Sequence, residues 1–410
     1  MNYNFIEIKL SRFLNHFPFF KKVTKRIYQY LTFYFFKKKY NYYSDYELHA
    51  LSYNGCESFF GYYDKSPESP NGVYLAFHSV NESTKIHPKK LNSIDIIILK
   101  YGDFIHKLET RAFNWQIGSR LQWLNNTKIL YNDYSERTDS YISKIFDIEN
   151  FEIYEYDIPI FDANEDFGIS VDFTILDRIK SDYGFYKVKN KTVDNNIYLL
   201  NFNNNNKLIL FNINDILKIE YKNEFKFSTH TINHIMLSPK STSFIYIHRY
   251  YYKNKKHDRL LLYDIQNKKH KLLVDSGLIS HMNWISENEL IGYYKSQNSK
   301  IGYHILNLQT LESKPLFNNQ FYDLYDGHPS FKNNKIVFDT YPDKSRLSSL
   351  YIYNIITSKI NNIGLFYQPL CFNGIVRCDL HPKWNYLGNK IFFESTHTKK
   401  RQIYFIYLKI

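Results

Sequence analysis

Cysteine is scarce in this chain of 410 residues. The three present, Cys56, Cys371 and Cys378, are odd in number and stand in neither CxxC nor zinc-ligand spacing. This argues against a disulfide-built secreted scaffold and for a reducing compartment. No apolar run approaches the roughly 20 residues that a membrane span needs. Nor does the N-terminus read as a signal peptide, because Lys9, Arg12, His16, Lys21 and Lys22 break up its apolar residues. P-loop, Rossmann, GxSxG and HExxH patterns are all missing, so no short motif supports nucleotide-dependent chemistry. Long helical periods between strands are missing too, which removes an α/β reading.

What is present is aromatic: 39 Tyr and 33 Phe, spread evenly, lean the chain toward an all-β fold. The formal charge of +13 is concentrated, for residues 1–40 carry nine Lys/Arg against the single acid Glu7. Residues 1–45 read as a helix-compatible extension in which Phe13, Phe17, Phe20, Val23, Ile27, Tyr30, Leu31, Tyr34 and Phe35 recur at intervals of three and four. A cationic face opposite bulky aromatics is the pattern of a segment lying on an anionic membrane surface. A helix packed on the domain, or a positively charged tail, is the other reading. Nucleic acid is not an expected partner, because the basic residues do not continue into the body and no binding motif accompanies them. The expected location is cytoplasmic, peripheral at the inner face of the plasma membrane.

From about residue 46 short apolar alternations are punctuated by Asn, Gly, Pro and Asp. About seven self-similar units follow, of which Arg120–Asp133, His234–Arg249, His281–Tyr293, His328–Asp339 and His381–Glu394 show the order most plainly. Each runs from polar residues through an apolar strand, a turn and a second strand to further Ile-Tyr strands. Units of about 40 to 55 residues with four short strands are the signature of propeller blades. The expectation is an all-β, seven-bladed β-propeller over residues 46–410 behind a short helical extension. The strand Tyr46–Leu51 is placed to complete the last blade.

In a propeller the first strands line one channel, so polar residues at the start of each unit converge. His234, His281, His328, Arg377, Asp379 and His381 are expected to meet although far apart in sequence. Imidazoles with a carboxylate suit a divalent cation; without one, a neutral His can act as base and Arg377 can neutralise a substrate carboxylate. Trp115, Gln116 and Arg120 combine an aromatic platform with amide and guanidinium donors, which suits a sugar ring; burial of Trp115 between blades is the alternative. Tyr63 is a candidate acid or base, or else packs the blade. Asp162, Glu165 and Asp166 read as a solvated loop.

Residues 232–250 (INHIMLSPKSTSFIYIHRY), 326–331 (DGHPSF) and 377–397 (RCDLHPKW…IFFESTH) resemble blades of the oligogalacturonate-lyase-like, TolB-like propellers, loosely over residues 55–410. With FFGYYDKSP and the YND of the second unit, they are also similar to proteins encoded among surface-polysaccharide genes. The resemblance implies β-elimination on a uronate-containing glycan with a Mn-type cation held by histidines and a glutamine. On this chain it implies His328 and His381 as metal ligands, His234 as base and Arg377 as carboxylate partner. Cys378 or Asp379 stands in place of the glutamine, and Lys383 in place of a further histidine. Two other functions stay open: a membrane-associated glycosyltransferase or assembly protein for capsule or exopolysaccharide, and a non-catalytic glycan-binding propeller.

Overall fold

The computed structural model describes residues 18–179, 182–188, 194–298, 300–317 and 326–408, and of residues 18–22 the backbone alone. Their strands form seven antiparallel sheets, six of four strands and one of five. Innermost strands of consecutive blades touch, as in blades 3 and 4, 5 and 6, and 6 and 7. The protein is a seven-bladed β-propeller, as the repeating units predict.

Blade 4 shows why these residues make blades. Its four strands are Thr229–Leu237, Ser243–Tyr252, Lys255–Asp264 and Lys269–Val274. The second is buried almost throughout, Phe244 to Tyr250, because neighbouring blades cover both of its faces. Branched and aromatic residues pack well on such a two-sided surface. Tight turns are made by residues that tolerate positive φ: Lys253 and Asn254 (47° and 61°) join the second and third strands, and Asn333 and Asn334 (47° and 60°) join two strands of blade 6. Two left-handed residues in succession form the turn whose twist matches a hairpin, and asparagine accepts that conformation readily.

The ring closes with strands from both ends of the chain. His49–Leu51 pairs with Gln402–Tyr407, so that Ala50 lies opposite Tyr404 in the last blade. Tyr42–Tyr43 adds a fifth strand to blade 6, opposite Phe366 and Leu365. The chain is therefore joined to the propeller slightly before residue 46. Ahead of this lies the helix Pro18–Phe36, whose Phe33 stacks on Tyr367 at 5.6 Å. Lys9, Arg12 and the rest of the first 17 residues of the basic extension lie outside the described residues. No helix of the described residues is long and apolar enough to cross a membrane.

Blade 3 departs from the common plan. Between its strands Phe167–Ser170 and Asn196–Asn201 the chain makes an excursion that includes the helix Phe173–Ile179. Phe173 stacks on Phe185 at 4.3 Å and pins the excursion to the body. The next residues, Asp182 and Tyr183, reach the centre of the ring.

Candidate active site

Tyr62 stands at the centre of the channel mouth, with four histidines from four blades around its ring. Its centroid lies 5.4 Å from that of His234, 6.3 Å from His281, 6.2 Å from His328 and 5.4 Å from His381. Backbone geometry brings them there. Gly61 has φ 116°, and a Cβ on it would stand 2.6 Å from the carbonyl carbon of Ile117, so only glycine lets the chain bearing Tyr62 pass so close. His234, at φ 53°, lies in a register shift between Asn233 and Met236; His281 lies in another between Ile279 and Met282. Bulges of this kind re-aim a side chain out of the sheet. His381 is also left-handed, at φ 45°. At Gly327 a Cβ would stand 1.8 Å from the carbonyl oxygen of Asp339, which admits His328 beside that aspartate.

Three of the imidazoles are oriented by oxygen. Asp339 accepts from the His328 ring Nδ1 at 2.9 Å and from the His328 backbone N–H at 2.6 Å, and its other oxygen accepts the His381 backbone N–H at 3.2 Å. One carboxylate thus fixes both neighbours. Asp326 holds His281 Nδ1 at 3.1 Å with Ser280 donating to it at 2.6 Å, and the Tyr62 hydroxyl is hydrogen-bonded to His234 Nδ1 at 2.9 Å. His381 differs: it is 1% exposed and, among the described residues, neither ring nitrogen has a hydrogen-bond partner.

Ligand atoms of His328, Asp379 and His381 lie within 4.8 Å of one another. An unsatisfied buried polar group costs about 1–3 kcal/mol, which a coordinated cation at His381 would offset. Burial opposes protonation of His328, but Asp339 on its Nδ1 outweighs burial and raises the pKa, so a cation would take Nε2 in place of a proton, in the arrangement where a carboxylate orients a metal-bound imidazole. Burial, then His328, Lys383 and Arg377, push the His381 pKa well down, leaving the neutral form that coordinates. Burial works against ionisation of Asp379, but Arg377 and His328 outweigh it and hold its pKa below the ordinary value. The donor set therefore fits a divalent cation. Cys378 does not belong to it: buried, its thiol pKa is pushed far up, by burial first of all, so Asp379 is the donor at this point of the chain. Lys383 points elsewhere, donating to the Gly61 carbonyl at 2.9 Å.

Arg377 meets the cluster in a different role from the one its charge suggests. Its Nε donates to Asp379 at 2.7 Å and its Nη1 to Asp182 at 2.5 Å, with its side chain 19% exposed. Its charge is spent on two aspartates, so in this geometry it positions Asp379 and is not held ready for a substrate carboxylate.

Other expected residues lie away from the mouth or are fully engaged. Tyr63 packs between His281 and His328, and its hydroxyl donates to the Met282 carbonyl at 2.8 Å and accepts the Met282 N–H at 3.0 Å, which takes up its proton. Trp115 is buried against Phe59 and Phe113 with its indole N–H on the Ile86 carbonyl, so it is a core residue and no sugar platform. Arg120 is buried in a two-pronged pair with Asp64, at 3.0 and 2.8 Å, over the ring of Phe161. It ties blades together and touches no open space. Gln116 donates to the Arg377 carbonyl at 3.0 Å and supports that segment. Asp162 is no solvated loop residue: it is buried, paired with Lys65, and accepts the Leu237 N–H. Tyr62, Asp182, Tyr183, Asp326 and Asp339 were not singled out from sequence, although Asp326 and Asp339 bracket the His328 unit.

No protein-family profile matches the sequence, and no curated protein matches it. Among solved structures the chain is similar to an oligogalacturonate lyase in complex with manganese, at 12% identity and TM-score 0.57, covering 91% of this chain and 97% of that one. The propeller domain of the trilobed protease from Pyrococcus furiosus also matches, at 12% identity and TM-score 0.49, over 85% and 95% of the two chains. An oligogalacturonate lyase from Vibrio parahaemolyticus matches at 10% identity and TM-score 0.39, over 90% and 97%. The first likeness shows a shared propeller fold.

Proposed function

We propose that the channel mouth is the active site of a carbohydrate-active propeller that cleaves a uronate-containing polysaccharide by β-elimination. One observation carries this reading: His381, buried with both ring nitrogens unpartnered, next to His328 and Asp379. The likeness to a lyase in complex with manganese supports it. His328, Asp379 and His381 would hold a Mn-type cation, which when bound would supply positive charge to draw a uronate carboxylate and make the C5 proton acidic. His234 takes that proton, the C5–H electrons form the C4=C5 double bond, and the C4–O4 bond breaks. Tyr62 protonates the leaving O4; burial raises its pKa well above the ordinary value, so it holds its proton until then, and His234 Nδ1 is placed to replace it. Tyr62 thus takes the role expected of Tyr63.

Incubating the full chain with uronate polysaccharides, with and without Mn, tests the proposal through the absorbance of the unsaturated product, alongside metal analysis of the purified protein. Product that needs the metal and disappears in His234→Ala supports it. Silence across a broad panel in both conditions sinks it, and binding without turnover leaves a glycan-binding propeller. A second reading, a glycosyltransferase or assembly protein of capsule or exopolysaccharide synthesis at the cytoplasmic membrane, is favoured by the outward apolar face of the N-terminal helix. Glycosyl transfer from a sugar nucleotide with no elimination would select it.

A further inference from the structure

The helix Pro18–Phe36 meets the propeller with its less apolar side. Val23, Ile27, Tyr30, Leu31, Tyr34 and Phe35 recur three and four residues apart, hence on one face, and are 42–76% exposed. Contacts with the body run through Phe33 on Tyr367 and through the Lys344 ammonium, 5.8 Å from the Phe36 ring centroid. An amphipathic helix that belonged to the core would turn the stripe inward. This one turns it out, and neither the helix nor the three lysines that follow it, Lys37 to Lys39, contains an acidic residue.

The helix also sits at the end of the propeller that carries the candidate site. Tyr367 ends the fourth strand of blade 6, and Lys344 belongs to the loop that leaves Asp339. In that loop Arg346 donates to the Gln368 side chain at 2.5 Å, and Gln368 donates in turn to the carbonyl of Cys378, the neighbour of Asp379.

We propose that this face docks on an anionic lipid surface, its apolar stripe in the boundary between headgroups and acyl chains, the exposed Lys37 to Lys39 among the phosphates, and the channel mouth beside the membrane. Charge selects the occupant. A second copy of this chain would bring the seven cations of residues 18–40, which contain no acid, against itself. A bilayer with acidic headgroups offers an apolar layer and negative charge together along the helix. The helix is too polar to cross, so it lies on the surface. The proposal is independent of the reaction at the mouth.

Co-sedimentation of the full chain with vesicles tests it, using phosphatidylcholine alone and phosphatidylcholine mixed with phosphatidylglycerol at physiological salt. The expected result is sedimentation with the mixed vesicles, about tenfold weaker with the neutral ones, and weaker again as salt is raised. Ile27→Glu combined with Leu31→Glu should weaken binding to mixed vesicles by about tenfold or more, with an unchanged thermal unfolding curve showing that the propeller is intact. Absence of sedimentation with the acidic vesicles overturns the proposal, as does undiminished binding by the double variant. So does a dimer of the unaltered chain in light scattering that the double variant disperses, because the face would then be covered by a second copy.

Discussion

Of the charged clusters inside this propeller, one between blades 1, 2 and 3 and one at the channel mouth treat burial differently. Between blades 1, 2 and 3, Arg120 gives two donors to Asp64 and a third to the Phe161 carbonyl, while Lys65 pairs with Asp162. Every charge there has its counterpart. At the mouth, His328 and Asp379 are oriented by neighbours but His381 is left with two unpartnered nitrogens, held by a backbone at φ 45°. The first cluster closes its charge pairs, whereas the mouth keeps an imidazole with both nitrogens unpartnered among the described residues, beside two further metal-ligating side chains.

The largest effect should come from breaking the closed cluster. Arg120→Ala leaves Asp64 buried and unpaired and should destabilise the fold by about 3–5 kcal/mol, measured by denaturant unfolding. At the mouth, Asp339→Asn keeps the shape but weakens the hold on His328 and on the His381 backbone. It should lower Mn affinity about 10–100-fold in a competition titration while unfolding hardly changes. Equal loss of stability at both sites would erase the distinction between them.

Acid should act on the body before the mouth is considered. His78, fully buried and hydrogen-bonded to Ser119 at 2.9 Å, has its pKa pulled down to about 3, by burial above all. Below the ordinary histidine value near 6.5 the unfolded chain takes up a proton that the native one refuses. Stability from this group is therefore complete above that pH and declines from there toward about 3, by about 1.4 kcal/mol per pH unit. Thermal unfolding across that range should show the slope in the unaltered protein and a shallower one in His381→Ala, because burial holds that imidazole neutral in the same way. The smallest effect on stability belongs to His381→Ala itself, about 1 kcal/mol or less, because no hydrogen bond is lost with the ring. Its consequence should appear as loss of the bound metal in elemental analysis.

Much of the architecture was legible because strand alternation and turn chemistry are local. The recurrence of His before a strand in four units placed four imidazoles around one channel, and Tyr46–Leu51 was recognisable as a closing strand because a propeller must close; its last three residues, His49–Leu51, make the pairing. What could not be read depends on contacts between distant residues. Whether Tyr62 or Tyr63 puts its hydroxyl on His234 turns on the path taken at Gly61, which packs against Ile117. Arg120 looks like a ligand donor until Asp64 is found opposite it. Asp182 reaches Arg377 only through the excursion in blade 3, which has no counterpart in the other units.

The clasp made by His49–Leu51 against Gln402–Tyr407 carries a consequence for biosynthesis. The strand that seals the ring leaves the ribosome long before its partner, because the whole propeller lies between them in the sequence. Blades can pair internally as they emerge, since their hairpins are short-range, but the ring cannot shut until Gln402–Tyr407 returns to His49–Leu51. Closing a loop of that length is entropically costly and slow. The nascent protein therefore passes through an open crescent with an unpaired edge, and during that interval the basic helix just ahead of the clasp is already complete.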